Sequence, residues 1–286
     1  MSALEPLPAL LWRDMVARDL LLDLGQAGDI TTDSVVPRDA TTMASVVARS
    51  PSRIAGLEIA CAAFTMLDDD ARIVYQAVDG DDVSAGSVLA TVEGSARAIL
   101  SAERTALNLL GHLSGIATAT RGVVRQIVGT GARICDTRKT TPGLRSLEKY
   151  AVRAGGGSNH RYGLHDAVLI KDNHIAVAGG VSPAIEAVRA SVGHMIKIEV
   201  EVDTLAQLEE AMTHPVEAIL LDNMTLDELA EGVAMIDGQA IAEASGGITP
   251  DTARAIAETG VDVLSMGWLT HSAPSVDVAL DIELPR

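Results

Sequence analysis

The sequence predicts an α/β protein, a small sandwich-like domain of short strands followed by six strands alternating with helices as in a βα barrel. Three observations lead there. Hydrophobic residues make up 48% of the 286-residue chain but aromatics only 2%, so any core must be built from Ala, Val, Leu and Ile. The rhythm of the chain changes after about residue 130, from short apolar runs parted by Gly and Asp to strand-like runs alternating with helical ones. Each strand-like run of the second part then leads into a charged residue or a glycine turn, which is where a βα barrel carries its site.

The opening stretch, MSALEPLPALLWRDMVARDLLLDLG, spaces its apolar residues as a helix does. Arg13, Asp14, Arg18, Asp19 and Asp23 interrupt it, so it does not read as a signal peptide. ASVVARS, RIAGLEIACAAF, RIVYQAV and SVLATVEG, separated by turns such as DGDD, read as strands of the sandwich. Glu103 to Val128 reads as a long helix with a break at SGIAT.

Six strands are then predicted: ARICDT, AVLIK, IKIEVEV, EAILLD, AIAEAS and VDVLSMG. Helix candidates lie between them, among them PAIEAVRASV, TLAQLEEAM, LDELAEGVAMI and PDTARAIAETG. An open doubly wound sheet is the alternative architecture. No G-x-G-x-x-G follows the first strand and no G-x-x-x-x-G-K-[ST] occurs, which disfavours a dinucleotide-binding or P-loop protein. The predicted domains are 1–115 and 116–269, with the tail 270–286 packing back on the first.

Composition limits the partners. The net charge of −17 argues against nucleic acid and anionic membrane, and no apolar run approaches the roughly 20 residues of a membrane-spanning helix. The two cysteines, Cys61 and Cys135, lack disulfide or metal spacing and fit a reducing compartment, so a soluble cytoplasmic protein is expected. Charge is nonetheless uneven. Arg133 to His174 holds eight Lys and Arg against four Asp and Glu, and all four lysines of the chain lie between Lys139 and Lys197. These charges alternate with Gly, Thr, Asn and His rather than helix formers, a pattern for a small-anion pocket more than for a solvated face.

The strand ends supply the candidates. ARICDT runs into Arg138 and Lys139, and AVLIK ends at Lys171. Lys197, Glu199 and Glu201 share one face of IKIEVEV by the period of two. EAILLD ends in Asp222. AIAEAS carries Glu243 and Ser245 into the turn Gly246–Gly247, whose amides with the following helix suit a phosphate; a tight turn needing glycine is the plainer reading. VDVLSMG leads to Gly267 and His271 in a similar turn. Glu201 and Asp222 suit Mg²⁺ held with a diphosphate, or else pair with a lumen lysine. His160 and Arg161 follow three glycines, which predicts a flexible ligand-closing loop.

Taken together, GDITT, ERTALNLLGHLSGIAT, CDTRKTTPGLRSLEKYAVRAGGGSNHRYGL, LIKDNHI, EVEVD, ILLDN and SGGIT strongly resemble the quinolinate phosphoribosyltransferases, also called nicotinate-nucleotide pyrophosphorylases. The likeness runs in order from about residue 28 to 272, and AEASGG departs from it only in Ala244, where relatives often carry Ser or Thr. The resemblance implies conversion of quinolinate and phosphoribosyl pyrophosphate (PRPP) to nicotinate mononucleotide, pyrophosphate and carbon dioxide, with Mg²⁺. It implies an N-terminal α/β sandwich domain, an open six- or seven-stranded βα barrel, and a homodimer with shared sites. Arg138, His160, Arg161 and Lys171 would then hold quinolinate, with Arg104 from the partner subunit. Lys139, Glu201 and Asp222 would be catalytic, attending ribose, diphosphate and, through the two carboxylates, the metal. Ser245, Gly246, Gly247, Gly267 and His271 would join Lys139 around the phosphates. Two rival readings share the barrel: a phosphoribosyltransferase-like protein associated with molybdenum transport, and a non-catalytic barrel that senses a phosphorylated metabolite.

Overall fold

The computed structural model describes residues 4–282, which divide into two compact units. The first comprises the chain up to Arg121, the stretch Thr141–Gly156 and the tail from Ser272; the second comprises Gly122–Thr140 and Gly157–His271.

In the first unit, α1 (Arg13–Leu24) and α2 (Ile30–Val35) precede β1 (Thr41–Ala48) and the short β2 (Ser52–Arg53). Then come α3 (Leu57–Leu67), β3 (Arg72–Tyr75), β4 (Asp82–Val83), β5 (Val88–Ser95) and the long α4 (Ala96–Gln126), whose end from Gly122 belongs to the second unit. GDITT is a helix start: Asp29 caps α2 by accepting the Thr32 N–H at 2.9 Å and is held in turn by Ser101.

Two sequence expectations fail here for identifiable reasons. The apolar run RIAGLEIACAAF is mostly helix α3 rather than strand. It is apolar on nearly every side because the helix is buried, so its pattern carries no helical period to read. Gly56, at φ +78°, turns the chain into it, and Asp79 accepts the first amide protons, those of Gly56 and Leu57, at 2.8 and 3.0 Å. The break expected at SGIAT is also absent, since α4 runs unbroken for 31 residues. The small residues there make contacts instead. Ser114 Oγ accepts the Ala55 N–H, Thr118 Oγ1 accepts the Arg53 N–H, and Gly115 lets the Pro274 carbonyl approach.

The second unit continues with β6 (Arg133–Cys135), after which α5 (Arg145–Ala154) belongs to the first. Next follow β7 (Val168–Ile170), α6 (Asp172–Ala178), α7 (Val181–Ser191), β8 (Ile198–Val202) and α8 (Leu205–Ala211). It ends with β9 (Ala218–Asp222), α9 (Leu226–Ile236), β10 (Ile241–Ser245), α10 (Pro250–Glu258), β11 (Val263–Ser265) and α11 (Trp268–His271). Strand β12 (Val278–Ile282) then pairs antiparallel with β1, extending a four-stranded sheet in the order β12-β1-β5-β3.

The six strands of the second unit are all parallel, in the order β6-β11-β10-β9-β8-β7. That is the cyclic order of a βα barrel with one seam open, between its first strand and its second. Alternation along each strand sorts the side chains. Ile198, Val200, Val202, Ile219, Leu221, Ala242, Ala244 and Leu264 are buried, while Glu199, Glu201, Leu220, Asp222, Glu243, Ser245 and Ser265 line the lumen. Among the described residues no helix is long and apolar enough to cross a membrane.

A Cβ built on Gly115 would lie 2.2 Å from the Pro274 carbonyl oxygen, which is backbone and cannot yield cheaply. Gly115→Val is therefore expected to cost about 1–3 kcal/mol, read as a lower midpoint in urea unfolding. A neutral substitution would mean the tail does not hold that close approach in solution.

Candidate active site

The C-terminal ends of all six parallel strands meet one cavity of about 390 Å³. Thr137, Arg138 and Lys139 reach it after β6, Leu169 and Lys171 at β7, and Glu201 from β8. Leu220 and Asp222 enter from β9, Glu243 and Ser245 from β10, and Ser265 from β11. His160 and Arg161 enter through the open seam. Eight residues singled out in the sequence therefore share this wall: Arg138, Lys139, His160, Arg161, Lys171, Glu201, Asp222 and Ser245.

The seam is not closed by a flexible loop, contrary to the sequence expectation. Ser158 donates its N–H to the Ile134 carbonyl at 2.8 Å and accepts the Asp136 N–H at 3.2 Å, so the segment runs as a short parallel bridge beside β6. Asp136, wholly buried, accepts the His160 N–H at 2.9 Å and the Asn159 amide at 2.5 Å. A buried carboxylate with these donors fixes the backbone that presents His160 and Arg161.

The cavity is crowded with like charge. Arg161 has its pKa lowered, first by burial and then by the neighbouring Arg138, with Glu199 and Asp166 opposing the shift. Arg138 Nε is buried without an acceptor. Lys171 is ion-paired to Glu201, which is the plainer alternative read from the sequence, a carboxylate paired with a lumen lysine. Lys197 lies elsewhere, on a second cavity of about 260 Å³ lined by residues nearer the N-terminal ends of the strands.

The two glycine turns adjoin the same rim. Gly246 and Gly247 have φ of +96° and +58°, and a Cβ on Gly246 would lie 2.2 Å from Asn223 Oδ1, so position and backbone both require glycine there. Trp268 Nε1 donates to the Ile248 carbonyl at 3.0 Å, tying this turn to α11. A Cβ on Gly267 would lie 2.7 Å from Lys139 Cδ and 3.5 Å from the His271 ring, and Thr270 Oγ1 donates to the Lys139 carbonyl at 2.7 Å. Lys139, Gly267 and His271 are thus one cluster. Arg104 is not among the residues that line this cavity. It lies on α4 in the first unit, 66% exposed, with Glu103 at 3.9 Å.

Two buried carboxylates, Glu199 and Glu243, lie outside the set of site residues expected from the sequence. His160 Nε2 lies 2.9 Å from Glu199 Oε2 and 3.6 Å from Glu243 Oε1. The signal was present, since Glu199 precedes Glu201, and Glu243 precedes Ser245, by the strand period of two. Burial pushes the Glu243 carboxyl from 4.5 up to about 7, and adjacent Glu199 adds to the rise.

A carboxyl whose pKa is raised on folding holds its proton in the folded chain after the unfolded chain has lost it. Its contribution to stability is complete below about pH 4.5 and falls as pH rises toward 7. Glu243→Gln is expected to flatten that decline in unfolding free energy. An unchanged slope between the two values would show that Glu243 ionises normally.

Residues 29–114 match the family profile of the quinolinate phosphoribosyl transferase N-terminal domain, and residues 116–281 that of its C-terminal domain. A probable nicotinate-nucleotide pyrophosphorylase (carboxylating) of Bacillus subtilis is 45% identical over 264 residues, covering 92% of this chain and 91% of the relative. A nicotinate-nucleotide pyrophosphorylase (carboxylating) of Mycobacterium leprae is 46% identical over 278 residues, covering 94% and 96%. The crystal structure of NadC from Streptococcus pyogenes matches with a TM-score of 0.95 at 37% identity, covering 99% of this chain and 100% of that one. Because both domains match, in order and over most of the length, the chain belongs to the quinolinate phosphoribosyltransferase family.

Proposed function

We infer that this chain transfers the phosphoribosyl group of PRPP to quinolinate and decarboxylates the product, giving nicotinate mononucleotide, pyrophosphate and carbon dioxide for NAD biosynthesis. The observation that carries the reading is the convergence of Arg138 and Arg161 on one cavity, with a buried Arg138 Nε that lacks an acceptor. Two guanidiniums held together need anionic charge between them. Quinolinate has two adjacent carboxylates, and the planar guanidinium fork takes a carboxylate with two parallel hydrogen bonds. A substrate with one carboxylate would leave a cation unpaired. The family and the names of its relatives do not favour the molybdenum-associated or sensor readings.

The remaining residues supply position and field. Lys171 stands beside the arginines and would exchange its bond to Glu201 for a substrate carboxylate. Glu201 and Asp222 project from neighbouring strands into the cavity, and a carboxylate pair with space for substrate oxygens beside it is a donor set that Mg²⁺ accepts. They fit that ion, which when bound neutralises diphosphate charge. The same carboxylates face the ribose, whose ring becomes positive as the pyrophosphate departs. Lys139 meets the leaving group, and the Ser245–Gly247 and Gly267–His271 turns hold phosphate with backbone amides. After transfer the ring nitrogen is cationic. The bond to the adjacent carboxylate breaks, its electron pair stays on the ring carbon, and a proton then adds there. Positioning accounts for catalysis without an enzyme nucleophile.

The exposure of Arg104 supports a homodimer in which this residue completes the partner's pocket, and the acidic composition suits a cytoplasmic enzyme.

The direct test is release of labelled carbon dioxide from 2-carboxyl-labelled quinolinate, omitting PRPP, Mg²⁺ or quinolinate in turn. Release should need all three; folded protein that releases none has another function. Arg138→Ala should raise KM for quinolinate at least tenfold, about the value of a lost charged hydrogen bond, with a much smaller change for PRPP. Equal changes for both substrates would remove Arg138 from the carboxylate pocket. Mixing Arg104→Ala with Lys139→Ala subunits should restore about a quarter of wild-type activity, because half the random dimers hold one intact site. No recovery in verified mixed dimers would rule out sharing.

A further inference from the structure

The His160 ring lines the cavity assigned above to quinolinate, yet both of its nitrogens are committed inside the protein. Nδ1 accepts the Arg161 backbone N–H at 2.7 Å and so carries no proton. The ring proton is therefore on Nε2, facing Glu199 Oε2 at 2.9 Å and Glu243 Oε1 at 3.6 Å. An imidazolium would bring a second N–H against the Arg161 amide. The ring is thus neutral and has no donor left for an anion in the cavity.

Two buried carboxylates face the ring. Glu199 and Glu243 are 8% and 5% exposed, and each keeps one carboxyl oxygen buried without a hydrogen-bond partner. Asp136 fixes the His160 backbone from the side of β6. Arg161 and Arg138 are the cations nearby, and Glu199 is among the groups that act on Arg161. His160, Arg161 and Glu243 line both the larger cavity and the smaller one below it, so this cluster forms the floor of the substrate cavity. The three ligand atoms lie close enough together for a metal ion, but the proton on Nε2 occupies the ring position that such an ion would need.

We propose that Glu199, with Glu243 beside it, is a positioning residue: by accepting the Nε2–H of His160 it fixes the orientation of a ring that the Arg161 N–H keeps uncharged, so that His160 is a strut aiming Arg161 at the substrate carboxylates, in place of a cationic substrate ligand. The inference rests on the quinolinate reading only for the identity of the substrate. The neutral ring and its two internal bonds are independent of it. It also accounts for two carboxylates under an anion pocket, where bare negative charge would oppose binding. Glu199 offsets the crowded guanidiniums.

The test combines a spectrum with a kinetic split. Imidazole-¹⁵N spectra of the whole enzyme, with His160 assigned by its loss in His160→Gln, should show the neutral Nε2–H tautomer from about pH 6 to pH 8, with and without quinolinate. Protonation of both nitrogens when quinolinate is added would overturn the proposal. Glu199→Gln keeps an acceptor for the Nε2 proton and an amide donor for Glu243. It should raise KM for quinolinate by less than about threefold, while Glu199→Ala raises it by about tenfold or more, and neither moves KM for PRPP appreciably. Equal impairment by Gln and Ala, or an equal shift for PRPP, would also overturn it. If wild-type protein failed to turn over quinolinate, the functional reading would fall while the tautomer would still report on the strut.

Discussion

Charge buried in the lumen of a parallel barrel is the constraint to which the rest of the second unit answers. Parallel strands covered by helices bury their outward side chains, here Ile, Val, Leu and Ala, and this packing needs no specificity beyond size. The inward set is different. Arg138, Arg161, Lys171, Glu199, Glu201, Asp222 and Glu243 all border one lumen, where an uncompensated charge would cost several kcal/mol. Each charge therefore has either an internal partner, as Lys171 has Glu201, or an environment that changes its ionisation, as Glu243 has. The guanidinium pair is the residue of this balance, and it is where an anionic substrate is needed.

The open seam follows from the same requirement. A closed barrel would pair the first and second strands by backbone hydrogen bonds and leave no route for side chains between them. Here the edge of β6 is taken up by a one-residue bridge to Ser158, and the chain then delivers His160 and Arg161 sideways into the lumen. Asp136 is what makes this delivery rigid. Its burial would be unfavourable alone and is stabilised by the very donors it positions.

The glycine turns solve a second problem on the same rim, close approach. Gly246 sits against Asn223, itself at φ +55°, and Gly267 sits against Lys139. A side chain at either place would displace its neighbour, and Lys139 is one that lines the cavity. Glycine at Gly246 answers to backbone geometry, the plainer of the two readings of SGGIT, and that reading leaves the turn's amides open to the proposed phosphate.

The sequence alone determined the alternation of strands and helices in the second unit, because amphipathic periods of two and 3.6 are local properties. It determined which residues would stand at the strand ends, and so most of the cavity wall from Arg138 to Ser245. Tertiary structure decided what local pattern could not encode. An apolar run buried on all sides has no period, so RIAGLEIACAAF became a helix only through Gly56 and the cap from Asp79. SGIAT looked like a break because small polar residues weaken an isolated helix, whereas here they accept bonds from segments some 60 residues away in sequence. Three glycines read as flexibility until Asp136, distant by 24 residues, pinned the backbone that follows them. The protonation of Glu243 and the tautomer of His160 depend on groups from β8, β10 and the seam meeting at one point. Electrostatic energy is a function of distance in space, and only the fold sets those distances.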